Sequence, residues 1–184
     1  MTSKAPIDSR IEPPRGPRCW GVGLARTGTT SLCAALTMLG YNRVLHNPTF
    51  EEIEEIDPEG GADNGVLLYY KYLDHIYPGS KFVLTWRELD SWLGSMRYIM
   101  ANHPGSSRIG AMRRMSIYET VRFDREILIE AYHRNRDDVR RYFRNRPGDL
   151  IELNIADGDG WELLCPFLGL TPPETPFPFL NKRA

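Results

Sequence analysis

The segment GVGLARTGTTSL, residues 21–32, constrains this chain more than any other. It joins a short apolar run, CWGVGL, to SLCAALTMLG, in which Leu32, Ala35, Leu36 and Leu39 recur at helical spacing. A glycine-rich turn in that context means a buried strand, a tight loop and a helix N-terminus in series. The backbone N–H groups from Thr27 to Ser31 then converge at the positive end of the helix, where they suit a phosphate or sulfate. Gly28 permits both the turn and the close approach of an anion. A nucleoside triphosphatase loop reads GxxxxGK[ST]. Here Thr29 and Thr30 follow Gly28, the lysine that would reach a γ-phosphate is absent, and Arg26 is the base within the loop.

Beyond this loop, strand and helix patterns alternate. NRVLH reads as a second strand, FEEIEEIDPEG as a brief amphipathic helix stopped by Pro58, and VLLYYKYLDHIY as a helix broken at Pro78. KFVLTW, apolar, β-branched and aromatic after a Pro-Gly turn, is the clearest strand. DSWLGSMRYIM is helical in period. A longer helix is predicted from about Ile117 to Arg146, with Val121, Leu128, Tyr132, Val139 and Tyr142/Phe143 on its apolar side. DLIELNI is a last strand, GWELLCPFLG a last helix, and the proline-rich TPPETPFPFLNKRA an extended tail. This alternation predicts an α/β three-layer sandwich with a mostly parallel sheet. At 184 residues the chain fits one domain, from about residue 18 to residue 184, behind a loose proline-bearing arm over residues 1–17.

Charge and cysteine content narrow the chemistry. A formal net charge of −1 argues against a dedicated nucleic-acid binder. Of the 23 basic residues 19 are Arg, a bias compatible with an anionic ligand because the guanidinium fork matches phosphate and sulfate oxygens. Cys19, Cys33 and Cys165 are odd in number and far apart, predicting reduced, buried thiols. His46, His75, His103 and His133 show no metal-ligand spacing, so no metal is expected. No apolar run is long enough for a membrane span and MTSKAPIDSR lacks a signal peptide's apolar core, so a cytoplasmic protein is the expectation.

GLxRTGTTSL resembles the 5′-phosphosulfate loop of the P-loop sulfotransferases, and the likeness to a small soluble branch of that family extends over roughly residues 18 to 182. The resemblance implies a P-loop nucleotide-binding type of sheet and 3′-phosphoadenosine 5′-phosphosulfate (PAPS) as sulfuryl donor. Thr27, Gly28, Thr29, Thr30 and Ser31 would bind its 5′ end, with Arg26 both binding there and acting on the leaving phosphate. A strand-end Arg with a Ser eight residues later grips the 3′-phosphate in the family, and here these are Arg87 and Ser95 in TWRELDSWLGS. Ser31 stands where many members carry an adenine-stacking Trp, and the further 3′-phosphate clamp has only Lys182, Arg183, Arg108, Arg113 or Arg114 as substitutes.

The family's general base is a His, Glu or Asp. Asp63 in GADNG lies where small-branch members carry an Asp, and His46, at the end of the second predicted strand, is its competitor. The acceptor would be a small molecule, lipid or carbohydrate bearing a hydroxyl or amine. Met96, Met100, Met112, Met115, Tyr69, Tyr70, Trp92 and Tyr98 are available either to its pocket or to the core. A non-catalytic nucleotide-binding module of the same fold and a P-loop kinase are the competing functions, the second disfavoured by the missing lysine.

Overall fold

Along the strands, side chains alternate between two apolar faces. In the computed structural model, which describes residues 16–103 and 107–180, β1 (Cys19–Gly21) sends Cys19 to one face and Trp20 to the other. In β4 (Lys81–Thr85), Phe82 and Leu84 join Trp20 while Val83 joins Cys19. A sheet apolar on both faces must be covered on both, and it is. On the Cys19 side lie α1 (Thr29–Met38) and α7 (Trp161–Leu168), through Leu32, Leu36, Leu164 and Cys165. On the Trp20 side lie α3 (Asn64–Ile76) and α6 (Arg125–Phe143), through Val66, Tyr70, Leu73, Val139 and Phe143. A third cluster, with Trp92, Met96, Tyr118, Leu128 and Tyr132, packs α4 (Leu89–Asn102) and α5 (Arg108–Tyr118) onto α6.

The sheet has five strands in the order β2-β3-β1-β4-β5, every pair parallel, with β2 at Val44–His46, β3 at Gly60–Ala62 and β5 at Leu150–Leu153. This is the predicted α/β sandwich. Because β3 lies between β1 and β2 while β4 lies on the other side of β1, the chain leaves β1 at the point where strand order reverses. Ligand crevices of open parallel sheets form there.

Three elements depart from the sequence reading. β3 is made of Gly-Gly-Ala, which carries no strand signal, yet it is an interior strand. A methyl on Gly60 would sit 2.6 Å from the Cys19 carbonyl oxygen, and one on Gly61 2.6 Å from that of Leu45. The helix predicted from Ile117 to Arg146 is α6, which begins only at Arg125, while α5 lies almost wholly before Ile117 and has no counterpart in the sequence reading. Glu119 takes a left-handed conformation (φ 59°) that ends α5, and Asp124 starts α6 by accepting hydrogen bonds from the amides of Glu126 and Ile127. Val121, placed by periodicity on a helix face, lies in the turn between them. The brief acidic helix is α2 (Phe50–Ile56), started by a capping box of Thr49 and Glu52.

Of the predicted N-terminal arm, residues 1–15 lie outside the described residues, whereas Pro17 is already docked, its carbonyl accepting from the Tyr41 hydroxyl at 2.6 Å. The tail from 170 to 180 forms neither helix nor strand and is anchored: Trp161 donates its indole N–H to Thr175 O at 2.8 Å and packs edge-on against Phe177.

Candidate active site

The glycine-rich loop is tied at each turn. Thr27 Oγ1 donates to Leu24 O at 2.7 Å and lies 2.7 Å from Thr85 Oγ1, joining the loop to the end of β4. A methyl on Gly23 would collide with the Thr85 hydroxyl and carbonyl, so the close approach of the two strand ends requires glycine. Trp92 donates its indole N–H to Ala25 O at 2.9 Å, and the Ala25 amide donates to the Tyr118 hydroxyl at 3.2 Å. Gly28, at φ 107°, precedes α1, whose start has no side-chain cap and no acid in its first turn. The positive end of the helix dipole therefore faces the loop uncompensated by any side chain of the cap.

Arg26, Thr27, Gly28, Thr30, Ser31 and Arg87 line one pocket, closed by Ile155 and Ala156 beyond β5 and by Phe179 and Leu180 of the tail. The Leu180 amide donates to Ser31 Oγ at 2.9 Å. Two guanidinium groups and a helix N-terminus thus share a cleft with apolar walls. Arg87 and Ser95, expected to converge on one phosphate, each hold a different partner here. Ser95 Oγ accepts from Arg26 Nε at 2.9 Å, while Arg87 Nε donates to Ser91 Oγ at 2.7 Å.

Asp63 and His46, rivals in the sequence reading, stand side by side. Asp63 Oδ2 accepts from Thr29 Oγ1 at 2.7 Å and lies 3.4 Å from His46 Nε2, and Oδ1 accepts from the Asn64 amide at 2.7 Å. His46 Nε2 is also 3.3 Å from Thr29 Oγ1 and 3.2 Å from Thr30 Oγ1. Asp63 is buried and His46, at the end of an outer strand, is exposed. Burial alone would raise the Asp63 carboxyl. Hydrogen bonding and charge from His46, with the bonds from Thr29 and the Asn64 amide, outweigh it and hold the group below the ordinary carboxylate range. Among the described residues five that are not glycine have positive φ. Asp57 and Glu119 end helices, and the other three are Arg26 (73°), Asn47 (56°) and Asp63 (83°), all at this site. Backbone conformations that cost about 1–3 kcal/mol each persist where the surroundings impose them, characteristically at functional sites.

The model of a family described as sulfotransferase domain matches residues 18–58 and 57–184. The chain belongs to the sulfotransferase family. Sulfuryl transfer is the chemistry of that family, and this sulfotransferase chain places its glycine-rich loop where the fold's crevice lies. Comparison with curated proteins returns no match.

The remaining sequence candidates divide. Trp92, Met96 and Met100 are core residues of the α4–α6 cluster, whereas Tyr70, packed on the α3–α6 face, also lines a second cleft with Lys71, Asn135 and Asp138. Tyr69 packs edge-on against Phe50, while Tyr98, Met112 and Met115 are exposed. Arg113 is buried against backbone carbonyls, and Arg114 donates to His103 O at 2.6 Å. Lys182 and Arg183 lie outside the described residues. Cys19, Cys33 and Cys165 are free and buried, and burial pushes the Cys33 thiol up to about 12. Among the described residues no group of three or more His, Cys, Asp or Glu could hold a metal ion, and no helix is long and apolar enough to cross a membrane. Sequence reasoning missed the tail as a pocket wall, because its contact with Ser31 joins residues 149 positions apart.

Proposed function

We propose that the protein transfers a sulfuryl group from PAPS to a hydroxyl or amine of a small-molecule, lipid or carbohydrate acceptor. The observation that carries this reading is that one helical turn serves two sites. Thr29 and Thr30 hold the Asp63–His46 pair, and Thr30 with Ser31 lines the cleft of Arg26 and Arg87. A proton acceptor and an anion cradle thereby adjoin, as group transfer to a hydroxyl requires.

The residues present fit such a donor. The uncapped start of α1 and Arg26 suit its 5′ phosphosulfate, and Arg87 suits a second, 3′ phosphate. When bound, PAPS supplies an activated sulfuryl group whose leaving phosphate gathers negative charge. Arg26, held by Ser95, stabilises that charge together with the loop amides, so that preorganised donors supply the electrostatics. His46 takes the acceptor's proton at the ring nitrogen turned away from Asp63. Asp63 stays ionised, fixes the ring through Nε2 and compensates the imidazolium that forms. The low exposure and three hydrogen-bonding partners of Asp63 favour this role over that of the base itself.

His46→Ala and Asp63→Asn are each expected to lower sulfuryl transfer from labelled PAPS, followed across an acceptor screen, by about 10²- to 10⁴-fold. Both variants should keep the rise in melting temperature that 3′,5′-adenosine bisphosphate produces. Unchanged turnover in both would move the base elsewhere, and stabilisation by ATP but not by the bisphosphate would overturn the donor assignment in favour of a kinase.

A further inference from the structure

Arg113 is a buried cation whose hydrogen-bonding partners are neutral. Its guanidinium donates to Asn47 O at 2.9 Å, Asn47 Oδ1 at 2.8 Å and Pro48 O at 2.6 Å. Burying a charge is costly unless its donors are well used, and apolar packing would fill the same volume at lower cost. The three acceptors belong to the two residues directly after His46. Asn47 further accepts from the Gly65 amide at 3.1 Å and donates its own amide to Ala62 O at 2.8 Å. Arg113 therefore clamps the turn that carries His46 onto the segment that carries Asp63.

Five residues on along the same helix, Tyr118 makes the complementary tie. Its hydroxyl donates to Asn64 Oδ1 at 2.9 Å and accepts from the Ala25 amide at 3.2 Å. Asn64 adjoins Asp63 and Ala25 adjoins Arg26. The ring itself is fixed against Trp92, whose indole holds the Ala25 carbonyl. No other described helix is bonded through its side chains to the His46 turn, to the residue beside Asp63 and to the glycine-rich loop at once.

We propose that α5 is a brace, with Arg113 and Tyr118 as positioning residues that fix the His46–Asp63 pair relative to Arg26. The inference rests on the assignment of that pair as the proton acceptor of sulfuryl transfer. It explains why a helix with few buried apolar residues, Arg113 and Tyr118 being its buried positions, is held against the sheet's ligand end.

The test needs no acceptor. In the full chain labelled with ¹⁵N-histidine, the imidazole nitrogen shifts of His46 report whether one tautomer is held or two exchange. Wild type should show a single tautomer protonated at Nε2. Tyr118→Phe, which keeps the ring but removes the hydroxyl, and Arg113→Lys, which keeps the charge but not the fork, should each show averaged shifts at His46, with His75 at the far end of α3 unchanged. Variants that melt like wild type and retain its His46 pattern would overturn the brace. Asp63→Asn is the control. If it leaves the His46 signature unaltered, the pairing itself fails and the brace with it. If it alters the signature and Tyr118→Phe does not, the brace alone fails. Should Arg113→Lys not fold, Tyr118→Phe decides.

Discussion

At the scale of single residues, the site consists of charges whose neighbours set their roles. Arg87 and Arg26 share one cleft but hold different serines, Ser91 and Ser95. In these two bonds the acceptor is a neutral hydroxyl, and a phosphate or sulfate oxygen outcompetes it because it adds the attraction of opposite charge and can accept two N–H groups of one guanidinium. Arg87→Ala should therefore weaken 3′,5′-adenosine bisphosphate about 10- to 100-fold, as loss of one such bond to a desolvated phosphate predicts. Affinity for 5′-AMP, which has no second phosphate, should barely change. Titration calorimetry on both ligands checks this, and equal weakening would mean that Arg87 supports the 5′ loop instead. The sequence showed Arg87 at a strand end and Ser95 two helical turns beyond it. That Ser95 reaches Arg26 depends on how α4 lies across the loop, which spacing within one segment does not encode.

At the scale of elements, the C-terminal tail is the least regular segment and one of the more consequential. It has no helix or strand, yet Phe177 packs on Trp161, where a methyl on Gly160 would already crowd the Phe177 Cβ at 3.1 Å and its ring at 3.2 Å. Beyond that anchor, Phe179 and Leu180 reach the pocket and are 43% and 48% exposed. Anchoring and wall-forming are thus separable. Phe177→Ala should lower the melting temperature. The double variant Phe179→Ala/Leu180→Ala should leave it nearly unchanged while weakening 3′,5′-adenosine bisphosphate about 10-fold, the loss of apolar contact from two partly buried side chains. A double variant that melts early but binds normally would make the tail a packing element only. The proline pattern indicated an extended chain. Its destination came from contacts with the first turn of α1.

At the scale of the whole molecule, the depressed Asp63 carboxyl couples the site to stability. A carboxyl with a folded-state value below its unfolded one adds stability that is present above the unfolded value, about 3.9 for Asp, and is lost as pH falls through the lowered folded value. Asp63→Asn should accordingly flatten the acid limb of the stability profile below about pH 4, measured by urea unfolding at a series of pH values. An unchanged acid limb would mean that other carboxylates govern it. The elements legible in the sequence were those whose signal is local. The apolar runs of β1 and β4, the helical spacing of α1 and the glycine-rich loop between strand and helix each follow from side-chain periodicity and backbone freedom within a dozen residues. β3 was not legible, because Gly60 and Gly61 are selected by the carbonyls of Cys19 and Leu45 across the sheet and not by any strand propensity of their own. α5 was not legible because its buried positions are Arg113 and Tyr118 and not an apolar stripe, and the late start of α6 was hidden by Val121, whose spacing continues the apolar face of that helix. For the site, sequence alone located the glycine-rich loop and its arginine, and it named Asp63 and His46 as separate candidates. Only the tertiary structure decided that they form one pair, since Asp63 meets Thr29 and His46 through the parallel pairing of β2 with β3 and the packing of α1 against both. Such contacts depend on the order of strands in the sheet, and that order is set by which faces bury together across the whole chain.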